Sequence, residues 1–184
     1  MAEITELLSR ARSGDATAMD ALMPLVYQRL RELAHRQLAG EAAQRTLDTT
    51  ALVHELYLDL LKRQQLPGAD RACFYAYAAT AMRHILVDEA RRRLAEKRGG
   101  GGERVDLESL TIPLDAEAQH VVAIDQALTA LMQQSPRLAQ VIEMRFFAGM
   151  SVEDTAAALD MNPRSVVRDW QKARLFLHRA LALE

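Results

Sequence analysis

The chain has 184 residues, with 23 basic and 25 acidic side chains and a formal net charge of −2. That length suits one domain or two small ones, and 49% apolar residues are enough to bury a core in either arrangement. A single cysteine, Cys73, excludes an intrachain disulfide framework and points to a reducing, cytoplasmic compartment; the 5% aromatic content argues against an all-β fold.

The opening residues, MAEITELLSR, lack the basic and long apolar regions of a secretory leader, and a charge or proline breaks every apolar run short of a membrane span. Residues 3–12 read as a short amphipathic helix with Ile4, Leu7, Leu8 and Ala11 on one face. Ser13-Gly14-Asp15 stops it and caps the next helix, residues 16–39, where Leu22, Leu25, Val26, Leu30, Leu33 and Leu38 recur at helical spacing. Residues 40–49 are polar and show no clear element. Residues 49–64 predict a helix with a wide apolar face of Leu52, Val53, Leu56, Tyr57, Leu60 and Leu61, broken by Pro67-Gly68. Residues 71–95 predict a long helix with Phe74, Tyr77, Ala78, Ala81, Ile85 and Leu86 inside and arginines at its end.

Charge is unevenly spread. Residues 80–98 hold six basic and three acidic side chains; residues 99–124 hold one and five. A basic block at a helix end can neutralise phosphates, whereas the acidic stretch would repel them, so nucleic acid is expected to bind locally. Four glycines, Gly99 to Gly102, mark the sharpest boundary, since each costs a helix about 1 kcal/mol relative to alanine. The expected organisation is a helical domain over 1–95, a flexible linker with room for short helical turns over 96–123 and a smaller helical domain over 124–184; the alternative is a long surface loop inside one domain. Within the last, Ile124, Ala127, Leu128, Leu131 and Met132 share a face, Ser135-Pro136 starts the next helix, and Leu138, Val141, Ile142 and Met144 turn inward.

Residues 151–181 carry the clearest local motif, two helices joined by a tight turn at Asp160-Met161-Asn162. Ser151 caps the first, whose small Ala156, Ala157 and Ala158 allow close helix approach. In the second, Val166, Trp170, Ala173 and Leu177 form a buried stripe. Arg164, Ser165, Arg168, Gln171 and Lys172 are then left near the outer face, where such a helix meets base edges and phosphates in a major groove.

The order of these parts resembles the extracytoplasmic-function group of sigma-70 family transcription initiation factors. TTALVHELYLDLLKR at 49–63 is similar to their clamp-binding helix, FYAYAATAMRHILVDEARRR at 74–93 to their minus-ten helix, and the helix-turn-helix to their region four. The resemblance implies an all-α fold of two helical domains, no enzymatic activity and no cofactor, with RNA polymerase core and promoter DNA as partners. Carried over residue by residue, it implies core-polymerase contacts from Asp48, Leu52, Val53, Glu55, Leu56, Asp59 and Arg63. Minus-ten contacts would come from Arg83, His84, Asp88, Arg91 and Arg92, with the loop around Gln65 to Arg71 cradling an unstacked base. Minus-thirty-five contacts would come from Arg164, Ser165, Arg168, Gln171 and Lys172. Opened DNA offers a phosphate track and flat base faces, which suit a basic helix end.

One departure is informative. The group carries an acidic patch, written D-A-E-D, before the clamp helix; here Asp48-Thr49-Thr50-Ala51 keeps one acid. A phosphate on Thr50 or Thr49 would restore about −1.5 to −2 of charge at a helix N-terminus. This acid-poor pattern resembles members associated with Ser/Thr kinases, which implies a kinase partner. The bland alternative is that both threonines cap the helix, though Asp48 can do so instead.

Other classes fit less well. The five histidines are scattered, His54-Glu55 lacks a second zinc-binding histidine, the glycine run lacks a following Gly-Lys-Ser/Thr, and Cys73 has no CxxC partner. A helix-turn-helix regulator, or an anti-activator that does not act with polymerase, is the remaining alternative; a repressor on a palindrome would have to dimerise.

Overall fold

The computed structural model describes residues 2–38, 48–62, 71–99 and 114–182, and within them every regular element is helical. The elements are α1 (Ala2–Arg12), α2 (Ala16–Leu38), α3 (Thr49–Lys62), α4 (Arg71–Gly99), α5 (Leu114–Gln134), α6 (Pro136–Ile142), a π turn (Glu143–Phe147), α7 (Val152–Ala158) and α8 (Pro163–Ala182). The all-α expectation is met.

Local chemistry sets the boundaries. After α1, Gly14 adopts φ +87°; its amide donates to the carbonyl of Ala11 and that of Asp15 to Arg10, a paired C-terminal cap that needs a left-handed residue. Asp15 then caps α2, its Oδ1 accepting from the amides of Thr17 and Ala18 at 3.0 and 3.2 Å. Helix α2 runs unbroken past Pro24, which lies on its exposed side. Pro136 opens α6 at the position where a missing N–H costs nothing.

Helices α1 to α4 enclose one core, with Leu8, Leu22, Leu30, Leu33, Leu52, Leu56, Phe74 and Met82 fully buried. Leu25 and Leu61, expected on the inner faces of their helices, are instead exposed. Inward positions at helical spacing on α3 are 52, 53, 56 and 60, which turns Leu61 outward.

Helix α4 is apolar on both sides, which marks a helix packed from two directions. Phe74, Ala78, Ala81 and Met82 face α1 to α3. On the other side Ala72, Ala76 and Ala79 meet Leu128, Leu131, Ala139, Ile142 and Phe147 of the C-terminal helices in a second core. Small residues let α5 and the π turn come close. The helices also run further than expected: α4 reaches Gly99 and α5 begins at Leu114, so both ends of the expected 96–123 linker are helical. Ala118 is buried in that added stretch. Residues 100–113 lie outside the described residues.

Candidate nucleic-acid and protein-docking surfaces

Helix α3 starts with a filled cap. Asp48 Oδ1 accepts from the amide of Ala51 at 2.8 Å, and its carbonyl accepts from Leu52 at 3.0 Å. Thr49 and Thr50 are therefore the first two helical residues rather than the cap, and Thr50 is exposed. Of the residues expected to meet the polymerase clamp, Leu52, Val53 and Leu56 have 0% exposure and belong to the core. In the free chain they pack inward rather than presenting a surface. Glu55 is exposed; Asp59 is half-buried and accepts a hydrogen bond from the Tyr77 hydroxyl at 3.0 Å. Arg63 and most of the loop from Gln65 lie outside the described residues. The outward stripe of α3 is instead Thr50, His54, Glu55, Leu58, Leu61 and Lys62. Leu58 and Leu61 are about half exposed, at 47% and 51%. Their exposure was not legible in the sequence, because a wide apolar face does not say which edge is wet.

The basic end of α4 is heavily paired. Arg92 donates to Glu89 at 2.8 Å and Arg93 to the same carboxylate at 3.3 Å. Arg91 reaches Asp88 at 3.7 Å and Asp125 at 3.0 Å. Asp88 and His84 are exposed, so His84 is not a core residue. Arg83, expected on the DNA face, is 8% exposed. Its guanidinium donates to Asp125 of α5 and, at 2.6 Å, to Glu143 of the π turn. Tyr75 is buried, and Arg71 stacks on its ring, 5.6 Å from the centroid. Tyr75 and Tyr77 both serve the protein interior, Tyr77 through its bond to Asp59.

The helix-turn-helix is present as read. Ser151 Oγ accepts from the amide of Asp154 at 2.9 Å, capping α7. Asp160 takes φ +50°, and the amide of Met161 donates to the carbonyl of Ala156 at 2.8 Å, closing the turn. Asn162 Oδ1 accepts from the amide of Arg164 at 2.9 Å, ahead of α8. Val166 and Ala173 are buried, with Trp170 and Leu177 half-buried, so the expected stripe holds. Trp170 is flanked by the guanidinium groups of Arg145 and Arg174, 5.7 and 5.8 Å from its ring. Arg164, Arg168, Gln171 and Lys172 are exposed along one face and Ser165 is half-buried. The inward side also carries Asp169, with 0% exposure and a 2.8 Å ion pair to Arg137 of α6. A carboxylate inside an apolar stripe has no signal in hydropathy.

The family model described as ECF sigma factor matches residues 1–183. No curated protein matches the chain. None of the described helices is long and apolar enough to cross a membrane.

Proposed function

Since the chain belongs to the ECF sigma factor family, a class of transcription factor and not of enzyme, whose members bind RNA polymerase core and promoter DNA, we propose that its two helical units divide that work and that threonine phosphorylation on α3 controls it. In this reading α1 to α4 dock on core and handle the minus-ten element, α4 extending to Gly99 beyond the expected boundary at 95. Helices α5 to α8 carry the minus-thirty-five reader, α5 starting at Leu114 ahead of the expected boundary at 124. The helix α8 face of Arg164, Ser165, Arg168, Gln171 and Lys172 suits a major groove, with long donors able to reach guanine edges and phosphates. The basic end of α4, His84, Asp88, Arg91 and Arg92, with Arg83 once freed, would meet the opened strands.

The carrying observation for the switch is the α3 cap. Asp48 accepts from the Ala51 amide at the helix N-terminus, which leaves Thr50 exposed on the same side of α3 as Leu58 and Leu61, two to three turns before them. Asp48, Glu55, Leu58 and Leu61 would form the clamp-docking face, with Asp59 at its edge. The first turn of α3 has no acidic residue. A phosphate there gains from the helix dipole and supplies the charge that a basic clamp surface requires. The reading names a cytoplasmic Ser/Thr protein kinase as a partner, with Thr50 favoured over the half-buried Thr49.

The test is transcription by core polymerase with unmodified chain, kinase-treated chain, and the Thr49→Glu and Thr50→Glu variants. Initiation after phosphorylation or Thr50→Glu, and not before, is expected. Initiation by untreated chain at the same level overturns the switch. Absence of core binding in every form overturns the sigma role and favours a helix-turn-helix regulator or anti-activator.

A further inference from the structure

We propose that Asp125 and Glu143 act as an internal stand-in for DNA phosphate, closing the C-terminal helices over the minus-ten surface of α4, so that this contact must open before Arg83 can engage a promoter strand. The proposal rests on the sigma reading for the role of that surface; the closure itself rests on geometry.

Three α4 side chains clasp two carboxylates. Arg83 uses one terminal nitrogen for Asp125 and the other for Glu143 Oε1 at 2.6 Å. Thr80 Oγ1 donates to Glu143 Oε2 at 3.0 Å, and Arg91 Nη2 to Asp125 Oδ2 at 3.0 Å. Each carboxylate therefore bridges two donors on one helix. A guanidinium fork with a neighbouring hydroxyl and a second arginine is the donor set that also grips phosphate. Both acids come from the C-terminal unit, one from α5 and one from the first residue of the π turn.

The polar clasp sits beside an apolar contact in which Ala72, Ala76 and Ala79 of α4 meet Leu128, Leu131, Ile142 and Phe147, so opening must separate both. The charges balance, and buried ion pairs add little net stability over their hydration while imposing a strict geometry. One donor is left over: Arg83 Nε is buried with no hydrogen-bond partner among the described residues. Closure is also selective. The outer face of α8 stays exposed while Arg83 is sealed, so the closed chain presents one DNA-reading surface and hides part of the other.

The experiment uses the full chain with Asp125→Asn and Glu143→Gln combined, which keeps side-chain volume. The probe is a fluorescein-labelled single-stranded DNA of mixed sequence, read by anisotropy at fixed salt, with small-angle scattering on the same samples. The double variant is expected to bind about tenfold tighter than wild type and to show a larger radius of gyration. Adding Arg83→Ala should abolish the gain. A control with Glu3→Gln and Glu6→Gln makes the same change in net charge at two exposed, remote sites and should not reproduce it. Thr80→Val, which removes the hydroxyl shared between Glu143 and the Ala76 carbonyl without altering charge, should give a smaller gain in the same direction and serves if the double variant does not fold. Affinity and dimensions equal to wild type, or a gain that survives Arg83→Ala, overturn the proposal. Core-polymerase binding, measured alongside, separates the readings: a chain that opens and gains DNA but never binds core loses the sigma role and keeps the closure.

Discussion

The guanidinium of Arg36 on α2 lies so close to Gly149 that a Cβ placed on that glycine would sit 1.4 Å from Arg36 Nη1. Gly149 also has φ +60°, a backbone state costing an L side chain about 1–2 kcal/mol. The first unit thus touches the turn that leads into the helix-turn-helix. Gly149→Ala is expected to lower stability by about 1–2 kcal/mol in denaturant unfolding, with most of the loss retained in an Arg36→Ala background. The arginine end can swing away cheaply, whereas the backbone strain cannot be relieved. A loss that disappears in that background would place the cost in the clash instead.

The buried carboxylate of Asp169 predicts an asymmetry between its two partners. Arg137 is 58% exposed at its side chain and Asp169 is 0% exposed. Arg137→Ala leaves a buried charge with only the distant Arg168 nitrogen, 3.7 Å away, and is expected to cost about 3 kcal/mol or more. Asp169→Ala leaves an arginine that water can solvate, and should cost less. Chemical denaturation of both variants checks the order.

Asp160 occupies the left-handed position in the turn between α7 and α8, where glycine has no steric penalty. Asp160→Gly should raise the thermal midpoint, corresponding to a gain of about 0.5–1 kcal/mol, without altering DNA affinity, because Asp160 lies outside the α8 reading face. Destabilisation would mean that the aspartate side chain holds the turn.

Asp15 gives a pH signature. Hydrogen bonds from Thr17 and then Arg10 lower its pKa from 3.8 to about 2. Its capping contribution is therefore complete above about pH 4 and fades as pH falls through 2, since the unfolded carboxylate takes its proton first. An NMR titration of the Asp15 carboxyl should give a midpoint near 2. Asp15→Ala should lower stability at neutral pH and have a smaller effect at pH 2.

Helix starts and stops were legible because they depend on one or two residues with distinctive chemistry: Ser13-Gly14-Asp15, Ser135-Pro136, Ser151 and Asn162-Pro163. The outer face of α8 was legible for the same local reason. The second face of α4 was not. Arg83 was expected on a DNA face, and only the acids delivered by α5 and the π turn make that side of α4 an interior. On α3 the sequence pattern did not give the rotation of the helix. Leu52, Val53 and Leu56 lie in the motif that resembles a clamp contact, yet the helix turns them into the core and presents Leu58 and Leu61. Asp169 was missed because its partner is thirty-two residues away in the chain, beyond any local pattern.

The most direct test of the central claim is the affinity of the full chain for core RNA polymerase, measured once unmodified and once phosphorylated on Thr50. The account predicts binding about tenfold tighter after phosphorylation, with the gain lost when Leu58 and Leu61 are both replaced by aspartate. Equal affinity in the two states, or a gain indifferent to Leu58 and Leu61, would contradict a docking face on α3 under threonine control.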